Sequence, residues 1–361
     1  MRPYIDLMIL PERNIGSAAL RSDGRPRHRG LIIFIATLIL VFTGYATWWY
    51  LLVDETRQQL DAWFADVRTA GHDITVQDIK FSGFPSRITI GLENLKFTHA
   101  NGQWHVDVPY AQAYGTPWEL NRIDGSVGIP VSIEHRHRYR TDTYNVASAD
   151  NAFVVTLSDQ AAFDLTITDA AIEGSNIEQL IKIDALAARL AQGDESIFLR
   201  ASLNANGITL PDPQLSPFGE KIASLQTDID ILVRPTHAGS LAEQLDIWRR
   251  SGGAVEVRRL SVRHGVLGLD GDGTITLDQN LQPEGAFGVS VIGFNPAVDA
   301  LVAKEFVKRQ EGQLAKAALG LFAKVPAGGG PKQIDVPLTI QDRKLTVGPF
   351  PLIRVPRIYW E

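Results

Sequence analysis

The chain has 361 residues, 45% of them hydrophobic and 21% charged, with a formal net charge of −6 and no cysteine. That size and balance belong to a globular protein with a proper core, and the missing cysteine excludes disulfides, thiolate metal sites and cysteine nucleophiles. Residues 1–53 carry six basic and three acidic groups, which leaves −9 on the remainder and argues against a nucleic-acid partner.

Residues 1–30 hold Pro3, Pro11, Pro26 and scattered charge, and are predicted to be a disordered cytoplasmic tail. Leu31–Val53 follows with 23 uncharged residues. At about 1.5 Å per residue such a helix spans roughly 34 Å, enough for a hydrocarbon core of about 30 Å. Arg21, Arg25, Arg27 and Arg29 precede it, and Asp54 and Glu55 follow. The positive-inside rule then predicts a cytoplasmic amino terminus and an exported body. Trp48, Trp49 and Tyr50 sit where an aromatic belt would anchor. A cleaved signal is the alternative, with Leu31–Phe42 as its apolar stretch and Gly44-Tyr45-Ala46 as the site. The long region ahead and the apolar run continuing to Val53 favour an anchor. Both readings export the body.

Residues 54–71 read as a stalk helix, with Leu60, Trp63, Phe64 and Val67 at helical spacing and Gly71 as its stop. From residue 72 to 361 the pattern is β. The spacing apolar-x-apolar-x-x-apolar-x-apolar occurs four times: at Ile74, Val76, Ile79, Phe81; at Ile90, Leu92, Leu95, Phe97; at Leu203, Ala205, Ile208, Leu210; and at Val255, Val257, Leu260, Val262. Period two marks a strand with one buried face, and the slip in the middle predicts a β-bulge that coils the sheet. Ser82-Gly83-Phe84-Pro85 predicts a turn between the first two of these. Asp270-Gly271-Asp272-Gly273 predicts a hairpin turn between Val266–Leu269 and Thr274–Leu277, and Asp278-Gln279-Asn280 another. Ser240–Ser251 carries a capping box at Ser240 and Glu243 and an apolar face of Leu241, Leu245 and Trp248. Asn295-Pro296 opens a second helix to Lys324, with a weak point at Gly312. Gly328-Gly329-Gly330-Pro331 reads as a loop. The fold class predicted is mainly β with peripheral helices: an N-terminal transmembrane helix followed by a large, coiled antiparallel β-sheet body.

Candidate chemistry is sparse. His135-Arg136-His137-Arg138-Tyr139-Arg140 is the one dense cationic tract. As a strand it would put His135, His137 and Tyr139 on one face and Arg136, Arg138 and Arg140 on the other. Two histidines fall short of a zinc site, so the tract reads as a charged edge strand or as an anion or lipid-headgroup patch at Arg136, Arg138 and Arg140. Asp270-Gly271-Asp272-Gly273 places Thr274 and Leu281 where a calcium loop needs oxygen ligands. No nucleophile elbow, zinc-helix motif or dinucleotide glycine run is present. Trp63, Trp104, Trp118, Trp248 and Trp360 read as core or rim residues. No catalytic residue, cofactor or metal site is predicted.

Several short motifs recur in an order that is familiar: Gly83-Phe84-Pro85-Ser86-Arg87-Ile88, Trp248 with Gly252-Gly253, Leu267-Gly268-Leu269-Asp270-Gly271-Asp272-Gly273 with Leu277-Asp278, and Val347-Gly348-Pro349-Phe350-Pro351-Leu352. Over about residues 30–355 the chain resembles the proteobacterial Domain of Unknown Function 2125 family, whose activity is unknown. Its strand pattern is also similar to that of AsmA-like envelope proteins. The resemblance implies a single-pass inner-membrane protein of a Gram-negative bacterium with a periplasmic β body. Three functions are weighed. The first is a non-enzymatic protein whose curved sheet offers an apolar groove, lined by Ile90, Leu92, Val255 and Val257, to a lipid chain. The second is a scaffold or assembly factor binding another envelope protein. The third is a hydrolase with a dispersed site.

Overall fold

A computed structural model describes residues 29–137, 140–158, 160–177, 179–210, 216–235, 239–326, 329–347 and 350–360. The predicted disordered tail, Arg138, Tyr139 and Gly328 lie outside these, save for the tail's last two residues, which are helical. The chain divides into two compact units, Met1–Leu51 and Leu52–Glu361. Helix α1 (Arg29–Thr69) is one unbroken element of 41 residues. It ends in a Schellman motif. Gly71 takes a φ of 89°, its N–H donates to the Arg68 carbonyl, and the His72 N–H donates to that of Val67. In the second unit Phe64 is buried, Leu60 and Val67 are half-buried, and Trp63 faces solvent.

The body is a single antiparallel sheet. Its strands are β1 (Asp73–Thr75), β2 (Asp78–Ser82), β3 (Ile88–Thr98), β4 (Trp104–Thr116), β5 (Glu119–Val127), β6 (Val131–Arg136), β7 (Thr141–Ala147), β8 (Asp150–Thr156) and β9 (Ala162–Gly174). They continue with β10 (Ile181–Gln192), β11 (Ile197–Thr209), β12 (Lys221–Leu232), β13 (Ala254–His264), β14 (Leu267–Leu277), β15 (Pro283–Ile292), β16 (Gln333–Gln341), β17 (Lys344–Val347) and β18 (Phe350–Arg354). From β8 to β18 each strand pairs with the next. Earlier, β1 and β2 share β3, and β3 pairs with β4. The two ends of β4 then pair with β5 and β6, which lead through β8 and β7 to the two ends of β9.

The four predicted phase slips all occur, but only one is a bulge. At Arg258-Arg259 the register of β13 shifts against both β12 and β14. The slip at Val76 is a break between β1 and β2. The other two are single residues with left-handed backbone inside a strand, Asn94 at φ 49° and Gly207 at φ 64°, and there the register is unbroken. Asn and Gly adopt that conformation at least cost. At Gly207 the irregularity is matched two strands away in β9. Asp169 (φ 49°) and Asp184 lie side by side across β9 and β10, and Gly207 lies on the far side of Asp184 in β11.

Asp270-Gly271-Asp272-Gly273 is not a turn. It lies in the middle of β14, and the hairpin turn is at Gly265-Val266. These glycines mark close approach of neighbouring strands. A Cβ on Gly273 would fall 2.4 Å from both the Ala286 carbonyl oxygen and the Phe287 ring. The Gly83 turn is present, with φ 103° and the Arg87 N–H donating to the Gly83 carbonyl. Asp278–Gln282 also turns, closed by the Asp278 N–H to the Gln282 carbonyl.

Helix α2 (Leu241–Arg250) has the predicted capping box, and its buried Trp248 donates from Nε1 to the carbonyls of Leu232 and Val233. The long second helix is two: α3 (Phe294–Ala303) and α4 (Arg309–Phe322). Its N-cap is Gly293 rather than Asn295. The break falls at Glu305, which takes a φ of 62° in a Schellman motif closed by Phe306 N–H to the Leu301 carbonyl. Gly312 is no weak point. It is buried in α4 against Val302 and Val298 of α3, where a Cβ would come within 2.5 Å of Val302.

Candidate functional site

The registers assign the residues of each strand to one of two faces, and one face is predominantly apolar from β3 through β5 and β8 to β16. From Ile90 the cross-strand pairs run Ala113, Gly125, Phe153, Leu165, Ala188, Leu203, Thr227, Leu260, Gly271, Val289 and Val336. Leu92 flanks this row at two-residue spacing, Val257 lies across the Arg258-Arg259 bulge from Leu260, and Val255 lies two residues beyond Val257. All four residues predicted for a groove therefore share one face. Ile90, Leu92 and Val255 are half-buried and Val257 is buried.

The opposite face is polar and internally paired. Asp164 holds Arg189 at 2.8 Å, Gln226 accepts from Arg259 at 2.6 Å, and Asp335 accepts from Ser290 at 2.6 Å. Asp270 accepts from the Ser261 hydroxyl and, through both carboxylate oxygens, from Nη2 of Arg263, at 2.7 to 3.0 Å. Burial opposes its ionisation, but the hydrogen bonds from Arg263 and Ser261 outweigh that and hold its pKa below the usual value. Buried Asp230 is held by Arg258 at 3.0 Å, so the bulge aims an arginine at a carboxylate.

Among the described residues no side chain is completely buried. Helices cover parts of the sheet only. Arg57 of α1 lies over the Phe81 ring at 4.9 Å, and α3 touches β14. Over β9 and β10 the apolar face opens: Phe163 is 37% exposed and Leu190 43%. A depression of about 340 Å³ lies there, lined by Val155, Phe163, Leu190 and Leu199, with Arg234 at its rim. Arg234 sits over the Phe198 ring at 4.9 Å. Sequence reasoning missed this stretch. The alternation Phe163, Leu165, Ile167 in β9 and Leu186, Ala188, Leu190 in β10 was its signal.

The cationic tract begins as the end of a strand paired on both sides, not as an edge strand. Strand β6 ends at Arg136 and pairs with β4 and β7 on its two sides. His137 then turns the chain, its N–H donating to the Arg140 carbonyl. Arg136 is paired with Glu134 at 3.1 Å and Arg140 with Asp142 at 3.1 Å. Arg138 lies outside the described residues. His135 stacks on Trp104 at 3.9 Å, and His137 Nε2 lies 3.0 Å from buried Asp142. Partial loss of water, then the nearby His137, lower the His135 pKa. Among the described residues no group of three or more His, Asp or Glu is placed to hold a metal ion.

A family model described as "Uncharacterized protein conserved in bacteria (DUF2125)" matches residues 49–356. The chain belongs to the DUF2125 family. No curated protein and no solved structure matches it, and nothing found extends the relationship to AsmA-like proteins. The DUF2125 match takes in the end of α1 and all eighteen strands described, so the two-faced sheet lies within it. Most of the apolar amino-terminal segment lies before it. That helix is long and apolar enough to cross a membrane, a property shared by signal sequences.

Proposed function

We propose that this DUF2125 protein is a non-enzymatic, single-pass protein of the bacterial inner membrane whose periplasmic sheet shelters a lipid acyl chain on its apolar face. The observation that carries the reading is the row from Ile90 to Val336, apolar apart from Thr227, on a face left open at Phe163 and Leu190. A face that runs across so many strands and buries no side chain completely has apolar area to spare. Burying one CH₂ is worth about 0.8 kcal/mol, so a half-sheltered chain of several carbons gains several kcal/mol. The anchor at Leu31–Val53, with four arginines before it, keeps the sheet at the bilayer that supplies the lipid. On the polar face Asp164, Asp230 and Asp270 are committed to arginines, which favours binding over carboxylate chemistry there.

The test is a photo-crosslinking residue at Leu190 or Leu92 in living cells, with Arg189 and Glu93 on the other face as controls. Lipid adducts at the first pair and not at the second are expected. Protein adducts without lipid would replace this reading by that of an envelope scaffold. Equal labelling on both faces, or none, would also overturn it.

A further inference from the structure

The hairpin of α3 and α4 presents a second apolar surface, separate from the sheet face. Gly312 and Leu319 lie on the side of α4 turned towards α3. The opposite side carries Leu314, Ala318 and Leu321 at spacings of four and three residues, one helical stripe, and Val325 follows in extended chain just past the helix end. Leu314 is 72% exposed, Leu321 85%, Phe322 67% and Val325 60%. Phe306, in the connection, is exposed as well. Large apolar side chains this bare, grouped at one end of a helix, mark a contact surface.

Charge selects the partner. Residues 304–324 carry five basic and two acidic groups in a body of net −9, so the remaining body is −12. Lys316 and Lys324 pair with Asp299 and Asp335, the latter loosely at 3.6 Å, while Lys304, Lys308 and Arg309 have no carboxylate at ion-pair distance among the described residues. Leucine and phenylalanine on one side, with lysines around them, is the make-up of a helix that lies in a membrane interface. A bilayer accepts a protruding Leu321 and Phe322 without a matching pocket, and Lys324 beside them reaches the headgroups on its flexible stem.

We infer that the carboxyl-terminal end of α4 is a second membrane contact, inserting Leu321, Phe322 and Val325 into the interface of an anionic bilayer. This shares only the anchor with the acyl-chain reading and stands if that reading fails. It gives the body two attachments, which would fix the sheet's orientation where a single tether would let it swing.

The chain has no cysteine, so one introduced at Leu321 can carry an environment-sensitive fluorophore. The full-length protein is reconstituted in vesicles of phosphatidylcholine and phosphatidylglycerol containing a lipid-borne quencher. The expected result is blue-shifted emission at Leu321, quenched several-fold more than a label at Gln313 on the flank of α4. Leu314→Asp and Phe322→Asp in the labelled chain should lower the inserted fraction roughly tenfold each. Vesicles without phosphatidylglycerol, or high salt, should weaken the quenching. Water-like emission at Leu321 would overturn the inference. Blue-shifted emission without lipid quenching, together with disulfide-linked dimers of Leu321→Cys, would overturn it too and assign the stripe to contact between copies.

Discussion

Two glycines in adjacent strands separate a turn from a strand at Asp270–Gly273. Gly273 in β14 is opposite Phe287, and Gly288 in β15 is opposite Asp272. Neither needs a positive φ, so alanine fits the backbone at both. They differ in space. A Cβ at Gly273 would lie 2.4 Å from the Ala286 carbonyl oxygen and 2.4 Å from the Phe287 ring, whereas one at Gly288 would meet nothing within 4 Å. Ordinary contacts are near 3.5 Å, so Gly273→Ala demands a shift of roughly 1 Å from a carbonyl inside the sheet. Overpacking of that kind costs about 1–3 kcal/mol. Gly288→Ala removes unfolded-state freedom and should stabilise by about 0.4–1 kcal/mol. For a body of about 310 residues the unfolding entropy converts the first into a fall of about 2–5 °C and the second into a rise of about 1 °C. Thermal unfolding of the full chain in detergent, followed by tryptophan fluorescence, reads both. Equal effects would refute the reasoning, because a hairpin tip would tolerate alanine at Gly273 as readily as at Gly288.

Two further outcomes are expected. The Asp270 pKa is depressed in the folded state, so its contribution is complete above the unfolded value near 4 and is lost as pH falls through the lower folded value. The melting temperature should fall on acidification below about pH 4, and Asp270→Asn should be less stable at pH 7 with a shallower acid slope; an unchanged slope would remove Asp270 from the account. Arg21, Arg25, Arg27 and Arg29 ahead of the apolar segment predict an exported carboxyl terminus, so a reporter fused after Glu361 that works only outside the cytoplasm should be active. Activity only from a cytoplasmic reporter would reverse the topology.

Local signals in the sequence were legible where one residue decides the geometry. Ser240 and Glu243 cap α2, Gly71 stops α1, and Gly83 turns the chain with a positive φ. The failures share a cause. Asp270-Gly271-Asp272-Gly273 has the composition of a turn, but its glycines answer to Phe287 and Val289 on the next strand, which the local sequence does not contain. Asn295 looked like an N-cap, yet Gly293 starts α3 two residues earlier, where it packs onto the Val266 carbonyl. The bulges predicted at Asn94 and Gly207 are absent because a single left-handed residue reverses the alternation there without an extra residue.

The apolar face was legible in part for the same reason. Alternation placed Ile90, Leu92, Val255 and Val257 on the buried side of their own strands. Only register shows that β3 and β13, eight strand steps apart, turn that side the same way. Register also explains why glycines lie on the face at all. Gly125 is opposite Phe153 and Gly273 opposite Phe287, and in both pairs a Cβ would strike the ring, at 2.2 Å and 2.4 Å. The ring of one strand thus lies over the bare backbone of its neighbour, a pairing that shields a glycine in a strand and pins the register. An aromatic laid down over glycine leaves the face low at that point, where two upright side chains would raise a ridge. A face built from alternate residues of many strands is levelled in this way. It leaves no linear motif, because every contributing residue is two positions from the next and its partners are tens of residues away.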